Sequence, residues 1–411
     1  MIRSYSPSRL RGLTILNIGQ NHRITGGSDR YFFDLAQMLE AEDNTVVPFA
    51  AQHPENLHSK WEAYFPRGAD FQSISPLNLA RFLHSPEAAQ RLATLISRVG
   101  PQLAHLHIYY GKLTSSILKV LKSNSIPAVQ TLHEYKLICP VYTLNSNGEN
   151  CQKCSVGHYA PSILGRCNQG SLARSMLSAV EASISVRAGA VTIPDRFIAV
   201  SEFVRQRAIE GGIPSSKISV LHNFTFPDRL RPTVNEGSYF VYYGRIERLK
   251  GIFTLLRAAE AAGVKLVIVG VGKASEEVAE YVAAGGLGER VSLFPFLSGE
   301  ALGDIVRGAI CTVVPSEWYE TFGLTVIESF CYGRPVIASK IGGMTEIIDE
   351  GSDGFLFAPG DERDLADKLR FLDKNRSVAV RMGVRARAKA ERRFSPEKHF
   401  EGLSRIYNEI L

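Results

Sequence analysis

The sequence predicts an α/β protein made of two doubly wound, Rossmann-like domains that face each other across a cleft. Short apolar segments alternate with helical patterns through both halves of the chain, and a polar stretch separates the halves. The 411 residues are enough for two domains of ordinary size. Near-continuous apolar strands that alternate with helices are typical of a parallel sheet covered on both faces.

The first half supplies six predicted strands. They are Leu13–Gly19, Thr45–Ala50, Leu103–Tyr109, Ala128–Leu132, Phe197–Val200 and Ile218–Leu221. Helical patterns between several of them cover Ser28–Ala41, Leu113–Ser123 and Glu202–Glu210. A polar stretch follows, Asn223–Ser238, and its Pro227, Pro232 and Gly237 predict the linker between the domains.

The second half repeats the pattern more regularly. Its predicted strands are Tyr239–Tyr243, Leu266–Gly270, Val291–Pro295, Ile310–Pro315 and Val336–Ser339. Helices are predicted to begin near Gly251, Lys273, Gly299, Gly323 and Met344, and Arg363–Leu411 is predicted to form successive helices. We therefore expect a first domain at residues 1–226, a second at 237–394 and a final helical segment at 395–411, with ligands at the carboxyl ends of the strands.

Composition limits the kind of protein. Hydrophobic residues make up 45% and charged residues 21%, which is ordinary for a globular protein. No run of about 18 uncharged apolar residues predicts a membrane span. Six cysteines without an export signal favour reduced thiols and a cytoplasmic location. The net charge of +6 is compatible with an anionic substrate or a lipid surface, and no RNA-binding signature accompanies it.

Glu320 and Glu328 are the leading candidate site residues. They are eight positions apart, and Gly323 onward has a helical pattern after a buried strand. Eight residues are just over two helical turns, so Glu328 should lie on the face reached from the loop that carries Glu320. Peptide N–H groups at the start of that helix can bind an anion. The segment thus offers carboxylates for sugar hydroxyls and a positive helix end for phosphate, although a solvated helix with surface glutamates is the alternative.

Arg245 and Lys250 are candidates for binding phosphate. They stand five residues apart in the run Gly244–Gly251, directly after the first predicted strand of the second domain. Both could reach one diphosphate, Arg245 through its planar fork and Lys250 as a point charge. Two solvated surface cations are the alternative.

The first domain contributes polar or small residues that follow its strands. Gly26 and Gly27 open the first helix, where paired glycines let a ligand approach the backbone. His133 ends a strand, and in an open α/β sheet such a position faces the ligand crevice. Ser201 and Asn223 follow later strands and are predicted to line the cleft, although short polar residues there are also routine helix caps.

Together these motifs resemble retaining glycosyltransferases of family 4, also called glycosyl transferases group 1, which have the GT-B fold. The resemblance covers nearly the whole chain and rests on the E-x7-E segment, the G-R-x4-K-G run, the glycine loop and the strand-end histidine. It implies transfer of a hexose-type sugar from a nucleotide-diphospho sugar to a glycan or lipid-linked acceptor, in surface polysaccharide or glycoconjugate synthesis. The family is described as reacting on one face of the sugar with the leaving phosphate as base, so no catalytic metal is expected.

The resemblance also implies roles for individual residues. Glu328 would bind the donor ribose, Glu320 the hydroxyls of the transferred sugar, and His133 would support positive charge at the anomeric centre. His133 and Glu320 are thus the catalytic candidates. Glu317 departs from the small-residue version of this loop and is predicted to line the cleft. The helix at 395–411 would pack back on the first domain. The implied donor-binding residues are Gly26, Gly27, Arg245, Lys250, Glu320, Phe322, Gly323, Leu324 and Glu328.

Four cysteines are concentrated in a predicted insertion at residues 136–170, which follows His133. They are Cys139, Cys151, Cys154 and Cys167. Four thiolates with one C-x2-C pair fit a closed, structural zinc site, and an iron–sulfur cluster can use the same ligands. Unliganded or redox-labile thiols and disulfides are the alternatives. The segment carries few large apolar residues, so it has little core of its own and needs a staple.

Other functions stay open at this point. A non-catalytic GT-B protein that binds a nucleotide or glycan is disfavoured by the intact Arg245, Lys250, Glu320 and Glu328. An inverting enzyme or nucleotide-sugar epimerase would need a general base in the first domain, and none is evident. A metal-dependent interaction module would leave the second-domain motifs unexplained. The basic stretch Arg376–Arg393 predicts either peripheral contact with anionic lipid at the inner membrane face or a solvated basic surface.

Overall fold

The computed structural model describes residues 10–69 and 75–411, which form two compact units. One unit contains the residues up to His222 together with His399–Leu411, and the other contains Asn223–Lys398. Each unit is built on a six-stranded parallel sheet, which confirms the prediction of two Rossmann-like α/β domains. Within the described ranges, no helix is both long enough and apolar enough to cross a membrane.

The sheet of the first unit has β2 at one edge and β8 at the other. The strands are β1 (Thr14–Ile18), β2 (Thr45–Phe49), β3 (Leu103–Leu106), β4 (Ala128–Leu132), β5 (Asn145–Ser146), β6 (Glu149–Asn150), β7 (Arg196–Ala199) and β8 (Ile218–Val220). The sheet order is β2-β1-β3-β4-β7-β8, and all neighbours are parallel. Strands β5 and β6 instead form a small antiparallel pair inside the cysteine-rich insertion.

Helices of the first unit begin at residues that suit helix starts. They are α1 (Gly27–Ala41), α2 (Pro76–Leu83), α3 (Pro86–Val99), α4 (Ser116–Ser123), α5 (Ala160–Leu164), α6 (Leu172–Arg187) and α7 (Glu202–Glu210). The hydroxyls of Ser75 and Ser85 accept from the N–H groups of Asn78 and Ala88, and a proline follows each serine. These Ser-Pro pairs explain where α2 and α3 begin. The helical patterns of the sequence did not predict α2, α3, α5 or α6.

The second unit has the strand order of a nucleotide-binding fold. Its strands are β9 (Tyr239–Tyr243), β10 (Leu266–Val269), β11 (Val291–Phe294), β12 (Ala309–Val314), β13 (Val336–Ser339) and β14 (Gly354–Phe357). Its helices, and the last helix of the chain, are α8 (Ile252–Ala262), α9 (Ser275–Ala284), α10 (Gly299–Gly308), α11 (Leu324–Cys331), α12 (Glu362–Lys374), α13 (Arg376–Arg393) and α14 (Pro396–Asn408). The sheet order is β11-β10-β9-β12-β13-β14, so the winding reverses between β9 and β12.

Two features of the second unit differ from the prediction. The five predicted strands are confirmed, but β14 was missed, and it is a four-residue strand with two half-buried members. The helix predicted near Met344 is a five-residue 3-10 helix, Gly342–Glu346. Two glycines open it, and glycine disfavours a regular α-helix. Gly342 also has a φ of +62° and lies so close to Glu320 that a Cβ would be 2.2 Å from the carbonyl oxygen.

Buried polar contacts hold the last residues of the chain in the first unit. Nδ1 of His399 donates to the carbonyl oxygen of His222 at 2.8 Å, so Nε2 is the acceptor for the hydroxyl of Tyr31 at 2.9 Å. The hydroxyl of Tyr407 lies 2.6 Å from Nδ1 of His105, and both side chains are completely buried. Helix α14 is therefore fixed by specific hydrogen bonds as well as by apolar packing.

Candidate active site

Two loops of the second unit meet where the strand order reverses. The loop Gly244–Gly251 follows β9, the loop Pro315–Gly323 follows β12, and these two strands are neighbours. Gly251 has a φ of +68°, and a Cβ there would lie 1.8 Å from the carbonyl oxygen of Pro315. The close approach therefore requires glycine. Because ligands of open α/β sheets bind at such a switch point, these loops form the first part of the candidate site.

Glu320 is held by three donors that converge on one oxygen. Its Oε1 accepts from Nζ of Lys250 at 2.6 Å, from the hydroxyl of Ser316 at 2.6 Å and from the indole N–H of Trp318 at 3.0 Å. The ammonium of Lys250 also lies 5.0 Å from the centre of the Trp318 ring. Among the residues that the structure describes, none donates to Oε2 of Glu320.

The ionisation of Glu320 follows from these contacts. Burial opposes its negative charge, but the charge of Lys250 and the hydrogen bonds outweigh burial and hold the pKa of Glu320 below its ordinary value. The carboxylate is therefore ionised at neutral pH, with 12% of its side chain exposed. Because Oε1 already accepts three hydrogen bonds, Oε2 is the oxygen that can accept a hydrogen bond from a ligand hydroxyl.

Helix α11 starts where the sequence predicted and offers its backbone to an anion. Gly323 is the N-cap residue, with a φ of +113°, and a glycine has no side chain with which to cap this end. The first N–H groups, from Leu324 onward, can therefore bind phosphate. The ring of Phe322 is buried and packs edge-on against Phe394, so Phe322 can contribute only its backbone. Glu328 is half-buried in the second turn.

Two predicted residues of these loops have partners of their own. Arg245 is 57% exposed and pairs with Glu247 at 3.0 Å, whereas Lys250 pairs with Glu320. The two cations thus share a loop, but in this structure each contacts a different carboxylate. Glu317 accepts from the hydroxyl of Thr254 on α8 at 2.6 Å.

In the first unit, predicted residues follow parallel strands and therefore lie on one edge of the sheet. Gly26 and Gly27 begin α1 after β1, and His133 follows β4. A Cβ on Gly26 would meet no atom within 4 Å, so the backbone there is open to a ligand. Ser201 caps α7, with its hydroxyl accepting from the N–H of Val204 at 3.1 Å. Ser201 thus has the helix-capping role that is the alternative to lining a cleft. Asn223, at the start of the second unit, is 5% exposed.

Buried polar residues that the sequence did not reveal support the glycine loop. The carboxylate of Asp29 accepts from the N–H and hydroxyl of Thr25 and from the amide of Asn21. Lys112 donates to the other end of the Asn21 amide at 2.7 Å. The turn before Gly26 is thus fixed by an acidic residue in the first turn of α1, which also suits the helix dipole.

A chain of hydrogen bonds sets the tautomer of His133. The amide nitrogen of Asn17 donates to the carbonyl of Phe32 at 3.0 Å, so the amide oxygen must be the atom 2.7 Å from Nε2 of His107. Nε2 of His107 therefore carries a proton. Burial and the neighbouring His105 and His133 hold the pKa of His107 well below its ordinary value, so Nδ1 is unprotonated. Nε2 of His133, 3.0 Å away, must then be the donor.

His133 itself is neutral. Burial lowers its pKa to about 3, and its ring stacks on His107 with centroids 5.3 Å apart. With the proton on Nε2, Nδ1 of His133 is the acceptor nitrogen. His107 and Asn17 were not predicted from the sequence, because none of the motifs that carry the family resemblance includes them.

The four cysteines of the insertion come together around one cavity of about 240 Å³. These are Cys139, Cys151, Cys154 and Cys167, and all are free thiols. Cys311 and Cys331 are buried elsewhere, in the second unit. In the described part of the chain, no three His, Cys, Asp or Glu side chains converge tightly enough to hold a metal ion as they stand.

Family models match both units. The model for Glycosyltransferase Family 4 matches residues 25–229, and the model for Glycosyl transferases group 1 matches residues 230–389. The fold and the loops at the switch point thus define a GT-B protein, and the chain belongs to the family 4, group 1 glycosyltransferases.

Individual relatives show how far the likeness extends. A D-inositol 3-phosphate glycosyltransferase of Nocardia farcinica is 34% identical over 182 residues, 41% of this chain and 40% of the relative. The O-antigen chain mannosyltransferase C of Escherichia coli is 30% identical over 186 residues, 44% of this chain and 49% of the relative. The chain spans about half the length of these curated relatives. The crystal structure of Anabaena HepE in complex with UDP has a TM-score of 0.67 and 17% identity, covering 97% of this chain and 100% of that one. This likeness confirms the fold.

Proposed function

We propose that this protein is a retaining glycosyltransferase that moves a hexose-type sugar from a nucleotide-diphospho sugar to a glycan or lipid-linked acceptor. One observation carries the proposal: at the switch point of a group 1 domain, Lys250 holds an ionised Glu320 by one oxygen, in the loop that leads to the glycine-capped start of α11. A phosphate-binding helix end and an orienting carboxylate are what a nucleotide-sugar donor requires.

The second unit would bind the donor. The N–H groups at Leu324, the ammonium of Lys250 and the guanidinium of Arg245 would neutralise the diphosphate, which is also the leaving group. Glu328 would bind the ribose, and Oε2 of Glu320 would accept a hydroxyl of the sugar. Breaking the sugar–phosphate bond builds negative charge on the diphosphate, so preorganised donors there favour the transition state over the ground state.

The first unit would contribute His133 and the backbone at Gly26 and Gly27. A neutral His133, with its proton on Nε2, brings no competing positive charge to the site. Such a group can support the positive charge that develops at the anomeric carbon. A histidine with an ordinary pKa would be partly cationic and would oppose that charge.

The acceptor is proposed at the level of its class. The E. coli relative is named for an O-antigen chain and the N. farcinica relative for inositol phosphate, so the family match is compatible with different hydroxyl-bearing acceptors. We favour surface polysaccharide or glycoconjugate synthesis in the cytoplasm. A non-catalytic nucleotide- or glycan-binding protein and a nucleotide-sugar epimerase are the alternatives.

Peripheral contact with an anionic membrane has less support than the sequence suggested. The basic stretch Arg376–Arg393 is helix α13, but Lys389 is 3% exposed and bridges Asp349 and Asp353. Arg387 donates to three backbone carbonyls within the second unit. These two cations stabilise the fold, so contact with anionic lipid would depend on the exposed arginines of α13, which are Arg381, Arg385, Arg392 and Arg393.

Product analysis is the test of the proposed function. Purified protein would be incubated with radiolabelled nucleotide sugars and candidate acceptors, and the anomeric configuration of the product read by NMR. The proposal predicts a new glycosidic bond with the donor's configuration. An inverted product, or epimerised donor without transfer, would contradict it, and donor binding without turnover on any acceptor would favour the non-catalytic alternative.

Variants of one loop provide the matched control. Arg245→Ala and Lys250→Ala should each weaken binding of nucleoside diphosphate by about tenfold or more, since a charge-assisted hydrogen bond contributes about 1.5–3 kcal/mol. Arg248→Ala removes a cation from the same loop whose partner is Glu277, so its affinity should stay near wild type. Calorimetry that gives wild-type affinity for nucleoside diphosphate in all three variants would show that Arg245 and Lys250 do not bind phosphate.

A further inference from the structure

The cysteine-rich insertion brings its four thiols together around one cavity. Cys139, Cys151, Cys154 and Cys167 span 29 positions yet line the same cavity. The rest of its lining holds one charged side chain, Lys153, and is otherwise polar or apolar without a carboxylate. A cavity whose ionisable lining is thiols and one cation favours a thiophilic ligand.

Tight turns of the backbone bring the cysteines to the cavity. The N–H of Tyr142 donates to the carbonyl oxygen of Cys139 at 2.8 Å, and Tyr142 and Leu144 have φ values of +59° and +48°, in the left-handed region. The N–H of Cys151 donates to the carbonyl oxygen of Leu144 at 2.7 Å, which returns the chain to the turn after Cys139. The thiol of Cys167 lies 3.4 Å from the hydroxyl of Ser146, on the small β5–β6 pair. The fold of the insertion thus places all four sulfurs around one space.

The insertion has a small apolar core and few anchors. One cluster joins Tyr159 to Ala179 and Ala182 of α6, and four aliphatic residues between positions 137 and 144 are also buried. A buried ion pair joins Lys136 to Glu181 of α6 at 2.8 Å, and the N–H of Val156 donates to the carbonyl oxygen after α7, at residue 211, at 2.8 Å. Segments with so little core of their own commonly fold around a metal.

We infer that these four cysteines bind one zinc ion as thiolates, in a site that staples the insertion to the end of β4. Zinc would draw the sulfurs from the cavity wall to about 2.3 Å from the metal. Four protein ligands fill the tetrahedral shell, so the site is structural rather than catalytic. The N–H of Cys139 donates to the carbonyl of Tyr135 at 2.8 Å, two residues after His133, so the staple would also stiffen the chain that leaves the candidate site. This inference does not depend on the proposed function.

Elemental analysis of the full-length, untagged protein tests the inference directly. Protein purified anaerobically without chelator should contain one zinc per chain. Cys139→Ser and Cys154→Ser should each lose most of that zinc, whereas Cys311→Ala and Cys331→Ala, at buried cysteines of the other unit, should retain it. Replacing zinc with cobalt should give the absorption of a tetrathiolate complex, and proteolysis after chelation should cut first within residues 140–170.

Each other outcome would overturn the inference. Wild-type protein without stoichiometric zinc but with four titratable thiols in the segment would show that no metal binds. Iron with sulfide in place of zinc would identify a cluster instead. Zinc that persists in both serine variants would lie elsewhere. Because the cobalt spectrum is read on wild-type protein, misfolding of a variant cannot leave the question open.

Discussion

The tautomer of His133 leads to a pair of substitutions at His107 that separates a positioning role from a packing role. In a His→Asn change the amide oxygen comes near the place of Nδ1, and in a His→Gln change the amide nitrogen comes near the place of Nε2. His107→Asn therefore keeps the acceptor for His133 and loses the donor to Asn17. His107→Gln keeps the donor to Asn17 and loses the acceptor for His133.

The two variants should cost similar stability but differ in activity. Each loses one hydrogen bond and leaves one buried partner unsatisfied, which costs about 1–3 kcal/mol. In His107→Gln the lost hydrogen bond is the one that stabilises the Nε2–H tautomer of His133. The same 1–3 kcal/mol shifts the tautomer ratio by about 5- to 150-fold, and kcat/KM should fall by about tenfold or more. His107→Asn should keep the tautomer and most of the activity. This expectation depends on the proposed role of His133.

Kinetics and NMR together give the assay. Turnover of the donor would be measured for both variants at matched folded fractions, and nitrogen-15 spectra of the imidazole rings would report the tautomers. In wild-type protein, His133 and His107 should both show a protonated Nε2 and an unprotonated Nδ1. Equal losses of activity in the two variants would reduce His107 to a packing residue. A proton on Nδ1 of His133 in the wild type would refute the hydrogen-bond chain itself.

Three further predictions follow from other parts of the molecule. Glu328→Gln should weaken binding of free nucleotide while Glu320→Gln mainly lowers turnover, and calorimetry showing the opposite dependence would reverse their roles. Burial, reinforced by Glu181 and offset by Lys136, raises the pKa of Glu134 to about 7. Since its unfolded value is about 4.3, the contribution of Glu134 to stability should be complete below that pH and decline as pH rises to about 7. Denaturant titrations of Glu134→Gln should lack this decline. Lys389→Met should destabilise the fold by about 3–5 kcal/mol because it leaves buried acid unpaired, and a loss of liposome binding without a loss of stability would contradict that.

The fold was predictable because its signals are local. Parallel strands buried on both faces appear as apolar runs, and β4, β9 and β13 have the bounds that the sequence predicted. The start of α11 was also marked, since Gly323 interrupts the apolar pattern before the helix. Strand β14 was missed because it lies at a sheet edge, two of its four residues are only half-buried, and Gly354 weakens the strand pattern.

The second-domain site was predictable in its residues but not in its contacts. Spacing identified Lys250 and Glu320, which the fold brings to 2.6 Å. The same spacing suggested that Arg245 and Lys250 act side by side, whereas Arg245 turns toward Glu247 at the surface. The hydrogen bond from the indole N–H of Trp318 to Glu320, at 3.0 Å, likewise depends on side-chain geometry that spacing does not reveal. Spacing tells which residues share a loop, and side-chain direction within the loop depends on tertiary packing.

The number of basic residues along a helix was the least reliable predictor of a binding surface. Within α13 the positions of Lys389 and Arg387 look as accessible as those of Arg392 and Arg393, because sequence does not reveal which face of a basic helix is buried. The structure buries Lys389 between Asp349 and Asp353, residues that no spacing rule pairs with it. A buried ammonium needs such partners to offset its lost hydration, so this cation is committed to the fold. Any lipid or polyanion that binds this helix must therefore contact its exposed arginines alone. The number of cations available to it is smaller than the number of basic residues in the stretch.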